Sequence, residues 1–263
     1  MRDGLVVLDK PAGWTSHDVV AKLRGVYGQK RVGHAGTLDP DATGVLLVGL
    51  GRLTRLLRFL QATDKTYWAT IRFGVGTTTL DAAGEVVDRQ PMSITIDQVR
   101  EATRRFLGEI DQVPPMVSAI KVGGRRLHEI ARAGEEVERA PRRVRIDRLD
   151  VEAFEPGPYP LATIVMDCGT GTYVRSLAAD LGAALGGCAH IEQLRRLQVG
   201  SFAISEARSL AAVQEDPEAA VVEPVDARTN QGSATVVMFV PVKETKRAAT
   251  TAVSVRSRRS IPR

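Results

Sequence analysis

Residues 33–44 constrain this chain more than any other stretch. They read Gly33-His34-Ala35-Gly36-Thr37-Leu38-Asp39-Pro40-Asp41-Ala42-Thr43-Gly44 and run directly into the apolar segment Val45-Leu46-Leu47-Val48. Pro40 biases Asp39 away from helical geometry toward an extended backbone, and Gly33, Gly36 and Gly44 permit close backbone approach or positive φ around it. An isolated Asp-Pro turn among glycines is an ordinary loop. This one leads straight into a segment with the composition of a buried strand, so it holds one carboxylate on a rigid support.

Five further stretches carry chemistry in a fixed order. They are Leu8-Asp9-Lys10-Pro11-Ala12-Gly13-Trp14-Thr15-Ser16, Lys65-Thr66-Tyr67, Pro114-Pro115-Met116-Val117-Ser118-Ala119-Ile120-Lys121, Cys168 through Ser176, and Ala189-His190-Ile191-Glu192-Gln193-Leu194-Arg195-Arg196. With the Asp39 loop they resemble the TruB family of tRNA pseudouridine synthases, whose catalytic loop reads G-H-x-G-x-L-D-P-x-A-x-G. The six stretches in order are far more specific than any one motif. The resemblance covers roughly residues 5–210 and does not extend beyond about residue 225.

It implies an α+β pseudouridine synthase fold: a mixed, mostly antiparallel central sheet flanked by helices, with a thumb-like insertion at about 112–145. On this expectation residues 1–225 form the catalytic domain. Residues 226–263 form an atypical, basic and poorly ordered tail in place of the small RNA-binding barrel with which family members usually end.

The residues support such a mixture. Leu5–Leu8 reads as a strand, followed by a Lys-Pro-x-Gly turn and a helix that Thr15 or Ser16 can cap, with Val19, Val20 and Leu23 on one face. Leu53, Leu56, Leu57 and Leu60 recur at helical spacing. Tyr67–Phe73 and Thr163–Met166 read as strands, and 94–107 and 174–185 as helices ended by glycine. A short helical patch at 127–133 lies among the prolines, glycines and charges of 112–145, residues 215–234 read as linker, and Val236–Val240 reads as one strand.

Charge is unevenly placed. The net charge is +5, yet residues 243–263 alone hold seven Lys and Arg against one Glu. Overall basicity therefore says little about the main domain, and the local patch at 121–145, with eight Lys and Arg against four Glu, says more. Such a run is also what a solvated face looks like. The apolar run Leu5–Leu8 is too short for a signal peptide or membrane span, which predicts a cytoplasmic protein. Cys168 and Cys188 lack CxxC spacing and read as packing residues.

Converting uridine to pseudouridine breaks the N1–C1′ bond, rotates the uracil and reattaches it through C5. This isomerisation needs no cofactor and no metal, and the sequence offers neither. Val48-Gly49-Leu50-Gly51 lacks the later glycine of a dinucleotide fingerprint, and His17, His34, His128 and His190 lack zinc-site spacing.

The resemblance makes Asp39 the catalytic acid, attacking C1′ or removing the C2′ proton. It makes Arg175 the cation that keeps Asp39 ionised, and Tyr67 the ring that stacks on the flipped base and can take the C5 proton. On the substrate side it implies His34 filling space vacated in the RNA, Leu194 packing near the base, Gly33 at the loop's start and Lys10 ordering the loop. The Gly169-Thr170-Gly171-Thr172 loop either cradles a phosphate or simply starts a helix.

The implied substrate is uridine 55 in the T loop of tRNA, modified without guide RNA, protein partner or membrane, by a monomer. Two other readings use the same residues. One is a tRNA-binding or tRNA-folding module with little turnover. The other is a hydrolase acting through Asp39, which lacks an obvious second carboxylate because Asp41 shares the same tight loop.

Overall fold

The computed structural model describes residues 2–222 and, as backbone, residues 224–228, 234–239 and 251–256. It divides into two compact units, Met1–Thr63 with Arg196–Arg263, and Asp64–Arg195.

The first unit opens with β1 (Gly4–Lys10), α1 (Ser16–Val26), β2 (Val32–Ala35), β3 (Thr43–Leu50) and α2 (Leu57–Gln61). Thr15 starts α1 through a reciprocal capping box with Asp18. β3 pairs antiparallel with β1, setting Lys10 opposite Gly44, and also with β2, setting Gly33 opposite Gly49. β1 and β3 are apolar at nearly every position because both of their faces are covered. Val6, Leu8, Leu46 and Val48 pack with Val19, Val20 and Leu23 of α1. Leu5, Val7, Val45 and Leu47 pack with Leu57 and Leu60 of α2. Completely burying such a side chain is worth roughly 1.5–3 kcal/mol, so this double core anchors the loop between β2 and β3.

The leucines at 53–60 do not form one helix. A 3-10 turn spans Gly51–Arg55, and Leu56, at φ −88° and ψ −12°, joins it to α2. Gly51 enters this turn at φ +56°, and Leu53, Leu57 and Leu60 are still buried.

The second unit contains β4 (Lys65–Phe73), β5 (Val75–Thr77), β6 (Val86–Arg89), α3 (Ile96–Arg104), β7 (Gly108–Gln112), β8 (Lys121–Val122), β9 (Arg125–Arg126), α4 (Leu127–Arg132), β10 (Arg142–Glu155), β11 (Leu161–Cys168) and α5 (Val174–Ala184). Its sheet runs β4-β11-β10-β7, antiparallel throughout. In β4 buried and half-buried residues alternate along the whole strand. Within 112–145 lie the β8–β9 hairpin and α4, while Arg142–Arg145 already pair with β7. Many charges of this patch are paired on the surface: Arg125 with Glu135, Arg143 with Asp111, and Arg145 with Asp64 and Asp147.

β12 (Ala189–Val199) crosses the boundary between the units along the chain. The first unit resumes with β13 (Phe202–Ala203), β14 (Arg208–Ser209), α6 (Leu210–Glu215) and β15 (Val221–Val222); β14 lies parallel and β15 antiparallel to β1. Part of the stretch that reads as linker is therefore structured.

Three more strands, β16 (Pro224–Arg228), β17 (Ala234–Phe239) and β18 (Thr251–Arg256), pair antiparallel in that order. The single strand expected at 236–240 thus has two partners, β18 being supplied by the β-branched Thr251, Val253 and Val255. The expectation of a poorly ordered tail falls mostly outside the described residues. Among the described residues no helix is long and apolar enough to cross a membrane. Antiparallel strands with helices packed on them place the chain in the α+β class.

Candidate active site

The loop carrying Asp39 is fastened from below by buried cations and backbone hydrogen bonds. Lys10, at the end of β1, is 0% exposed, and its Nζ donates to the carbonyl oxygens of Pro11 at 2.9 Å, Trp14 at 2.6 Å and Pro40 at 2.7 Å. The Gly13 N–H donates to the same Pro40 carbonyl at 3.0 Å. The buried Ser16 hydroxyl accepts from the Leu38 N–H at 2.9 Å, and Ala42 N–H donates to the Asp39 carbonyl at 3.2 Å. Asp39 itself is half-buried.

Arg196 holds the other side of the loop. It is 1% exposed, with Nε donating to Val45 O at 2.7 Å and its terminal nitrogens to Gly36 O at 3.2 Å and Thr37 O at 3.5 Å. Gly44 adopts φ +103°, and a Cβ there would run into the Arg196 backbone. Gly33 needs no positive φ; a Cβ on it would meet Leu57 at 3.2 Å, so its role in the fold is close packing. Arg196 is a residue whose part the sequence did not disclose. The signal was the Arg195-Arg196 doublet on a strand, since alternation turns one of two neighbours inward.

Burial lowers the pKa of Lys10 from its usual 10.5 to about 8, with the carboxylates of Asp41 and Asp39 opposing the shift and Arg196 adding to it. Burial also lowers that of His34 to about 4, helped by His17 and Arg196. The His17 and His34 rings meet edge-on with centroids 5.2 Å apart, and His34 Nδ1 is buried without a hydrogen-bond partner. His34 is therefore neutral near pH 7.

In the second unit Tyr67 lies on β4 opposite Met166 of β11 and is buried. Arg175, in the first turn of α5, is also buried and donates to Thr79 O at 2.8 Å and Val117 O at 2.9 Å, with Nε 3.6 Å from Asp81 Oδ2. It thus ties the β5–β6 connection to the segment preceding β8. Asp81 was invisible in the sequence, being one acid among the turn residues of 77–85. Leu194 is half-buried on β12.

In the glycine-threonine loop before α5, Gly169 N–H donates to Arg145 O at 2.8 Å, Tyr173 N–H to Gln112 Oε1 at 2.8 Å, and Thr172 Oγ1 to Gly169 O at 3.0 Å. These bonds already occupy part of the cradle offered to a phosphate. Cys168 is buried, which raises its pKa to about 11, while Cys188 is half-buried; both are free thiols.

The family model for the N-terminal domain of TruB family pseudouridylate synthases matches residues 24–174, and that for the tRNA pseudouridylate synthase B C-terminal domain matches residues 175–228. The chain belongs to the TruB family. The tRNA pseudouridine synthase B of Mycobacterium sp. (strain KMS) is 53% identical over 216 residues, 81% of this chain and 73% of the relative. That of Thermobifida fusca (strain YX) is 52% identical over 217 residues, 80% of this chain and 74% of the relative.

A chain of a solved Cbf5-Nop10-Gar1 complex aligns with a TM-score of 0.63 at 30% identity, over 81% of this chain and 54% of that one. This TruB family member spans about half the length of that solved chain. Asp39, Tyr67 and Arg175 all fall within the two matched family segments, and Lys10 and Ser16 precede them.

Proposed function

We propose that this TruB family member isomerises uridine to pseudouridine at position 55 in the T loop of tRNA, without a guide RNA. Asp39 is the residue that acts on the ribose. The observation that carries this reading is the carboxylate loop of a family member braced by Lys10 and Arg196, two buried cations. Relatives at about half identity are named tRNA pseudouridine synthase B, which supplies the substrate class.

The reaction keeps every heavy atom. The N1–C1′ bond breaks, the uracil turns within the site, and a C5–C1′ bond forms; C5 then releases its proton and N1 takes one up. A glycosidase needs a second carboxylate to protonate the departing group or to deploy water. Here the leaving group stays and recombines, so one carboxylate suffices. Asp39 either attacks C1′ or removes the C2′ proton; both routes require it ionised and shielded from water.

The family resemblance assigns Arg175 as the cation that keeps that carboxylate ionised. Extruding the uridine costs a few kcal/mol, and stacking on Tyr67 returns roughly 1–3 kcal/mol. Leu194 and His34 supply the remaining contacts, His34 as a neutral ring filling the place the base leaves. Tyr67 takes the C5 proton. The protein works as a monomer in the cytoplasm, on tRNA alone.

The test is to incubate the purified protein with unmodified tRNA transcript and map pseudouridine by carbodiimide-dependent primer-extension stops. A new stop at position 55 supports the reading. Stops elsewhere, or none with tRNA bound, count against it, the latter favouring a binding module.

A further inference from the structure

Helix α5 has to present Arg175 from its first turn, yet its start is not capped in the usual way. The N-cap residue is Tyr173, whose side chain makes no capping hydrogen bond. An amide from another strand holds the backbone of the N-cap residue itself. Gln112, the last residue of β7 and 1% exposed, accepts from the Tyr173 N–H through Oε1 at 2.8 Å and donates to the Tyr173 carbonyl through Nε2 at 3.1 Å. This bidentate grip fixes both backbone groups of the residue two positions before Arg175. A second link lies nearby, where the buried Ser176 hydroxyl, three residues beyond Tyr173, donates to the carbonyl of Val113, the residue after Gln112, at 2.8 Å. The same segment then provides Val117 O to the Arg175 guanidinium itself at 2.9 Å.

We infer that Gln112 is a positioning residue for Arg175: it locks the first turn of α5 against the segment 112–117 so that the guanidinium is held in one orientation. This rests on the function proposed above. Two properties favour it over ordinary packing. Gln112 uses its donor and its acceptor on a single residue, a grip that fixes orientation as well as position. A glutamine so deeply buried is retained at the cost of desolvating an amide, which only fully satisfied hydrogen bonds offset.

The experiment measures tritium release from a T stem-loop RNA carrying uridine tritiated at C5, under single-turnover conditions, together with RNA affinity. Gln112→Leu keeps the volume and removes both bonds. Gln112→Glu keeps the acceptor, removes the donor, and serves if the leucine variant does not fold. Either variant should lose about tenfold or more in rate, because small misplacements of a catalytic group are costly, while RNA affinity stays within about threefold. In an Arg175→Lys background the same substitution should cost less than about twofold further, since a residue acting through Arg175 has little left to act on.

An unchanged rate in a folded variant overturns the inference. So does an equal loss in both backgrounds, which would assign Gln112 to stability alone. No release by the unaltered protein overturns the proposed function and this inference with it, whereas release by the unaltered protein together with either of the other results overturns the inference only.

Discussion

The Nζ of Lys10 lies 2.7 Å from the carbonyl oxygen of Pro40, the residue immediately after Asp39. A buried ammonium on the strand β1 thus holds the Asp39 loop by its backbone. With its pKa lowered to about 8 by burial, this clamp titrates within reach of working conditions. Because the folded-state value is below the usual 10.5, the unfolded chain holds the proton more firmly, and the Lys10 contribution to stability rises as pH climbs from about 8 to 10.5.

The loop, however, loses a charge and an N–H over the same window. Turnover should therefore fall through an apparent pKa near 8 while Lys10 contributes no loss of stability. A pH–rate profile checks this: Lys10→Arg, which keeps its charge, should abolish the limb. Persistence of the limb in that variant would assign it to another group.

Arg196 gives a second prediction. Its removal leaves the carbonyl of the buried Val45, and those of the half-buried Gly36 and the exposed Thr37, without that donor, and an unsatisfied buried polar group costs about 1–3 kcal/mol. Arg196→Leu should lower unfolding stability by about 1–3 kcal/mol, measured by urea denaturation. A loss below about 1 kcal/mol would mean that the loop finds other donors.

His34 predicts an acid limb in stability. Its folded pKa of about 4, against the usual 6.5, means the unfolded chain takes up a proton that the folded one refuses. Its contribution is complete above pH 6.5 and is lost as pH falls toward 4. Melting temperatures across that range should decline less steeply for His34→Gln than for the unaltered protein. Parallel curves would show that the ring is protonated in the folded state as readily as in the unfolded one.

Tyr67 separates chemistry from binding. If the ring stacks on the extruded base and takes the C5 proton, Tyr67→Ala should reduce turnover by about 100-fold or more, with RNA affinity changed much less. Filter binding and single-turnover rates decide it; comparable losses in both would make the ring a packing residue of β4.

Much of this was legible in the residues because local chemistry dictated it. Thr15 or Ser16 marked a helix start, the apolar run at 45–48 read as a buried strand, and Pro40 with its glycines announced a rigid loop. What stayed hidden depended on partners distant in sequence. Arg196 reads as one more surface arginine until strand alternation turns it inward beneath residues 36–45. Gln112 is an unremarked amide before two prolines until Tyr173 comes to meet it.

The start of β10 was obscured for a different reason. Arg142, Arg143 and Arg145 give it the look of an exposed insertion, although Val144 and Ile146 alternate with the charges and are buried. The leucines of 53–60 show the converse: their spacing is right for burial, but it does not distinguish one helix from a 3-10 turn followed by a short helix.

The most direct test of the central claim compares the natural protein with Asp39→Asn on RNA tritiated at uridine C5. The amide preserves size and loop geometry and removes only the charge. Tritium release should be steady with the natural protein and absent with Asp39→Asn at equal RNA affinity; release by the asparagine variant at an undiminished rate would remove Asp39 from the chemistry.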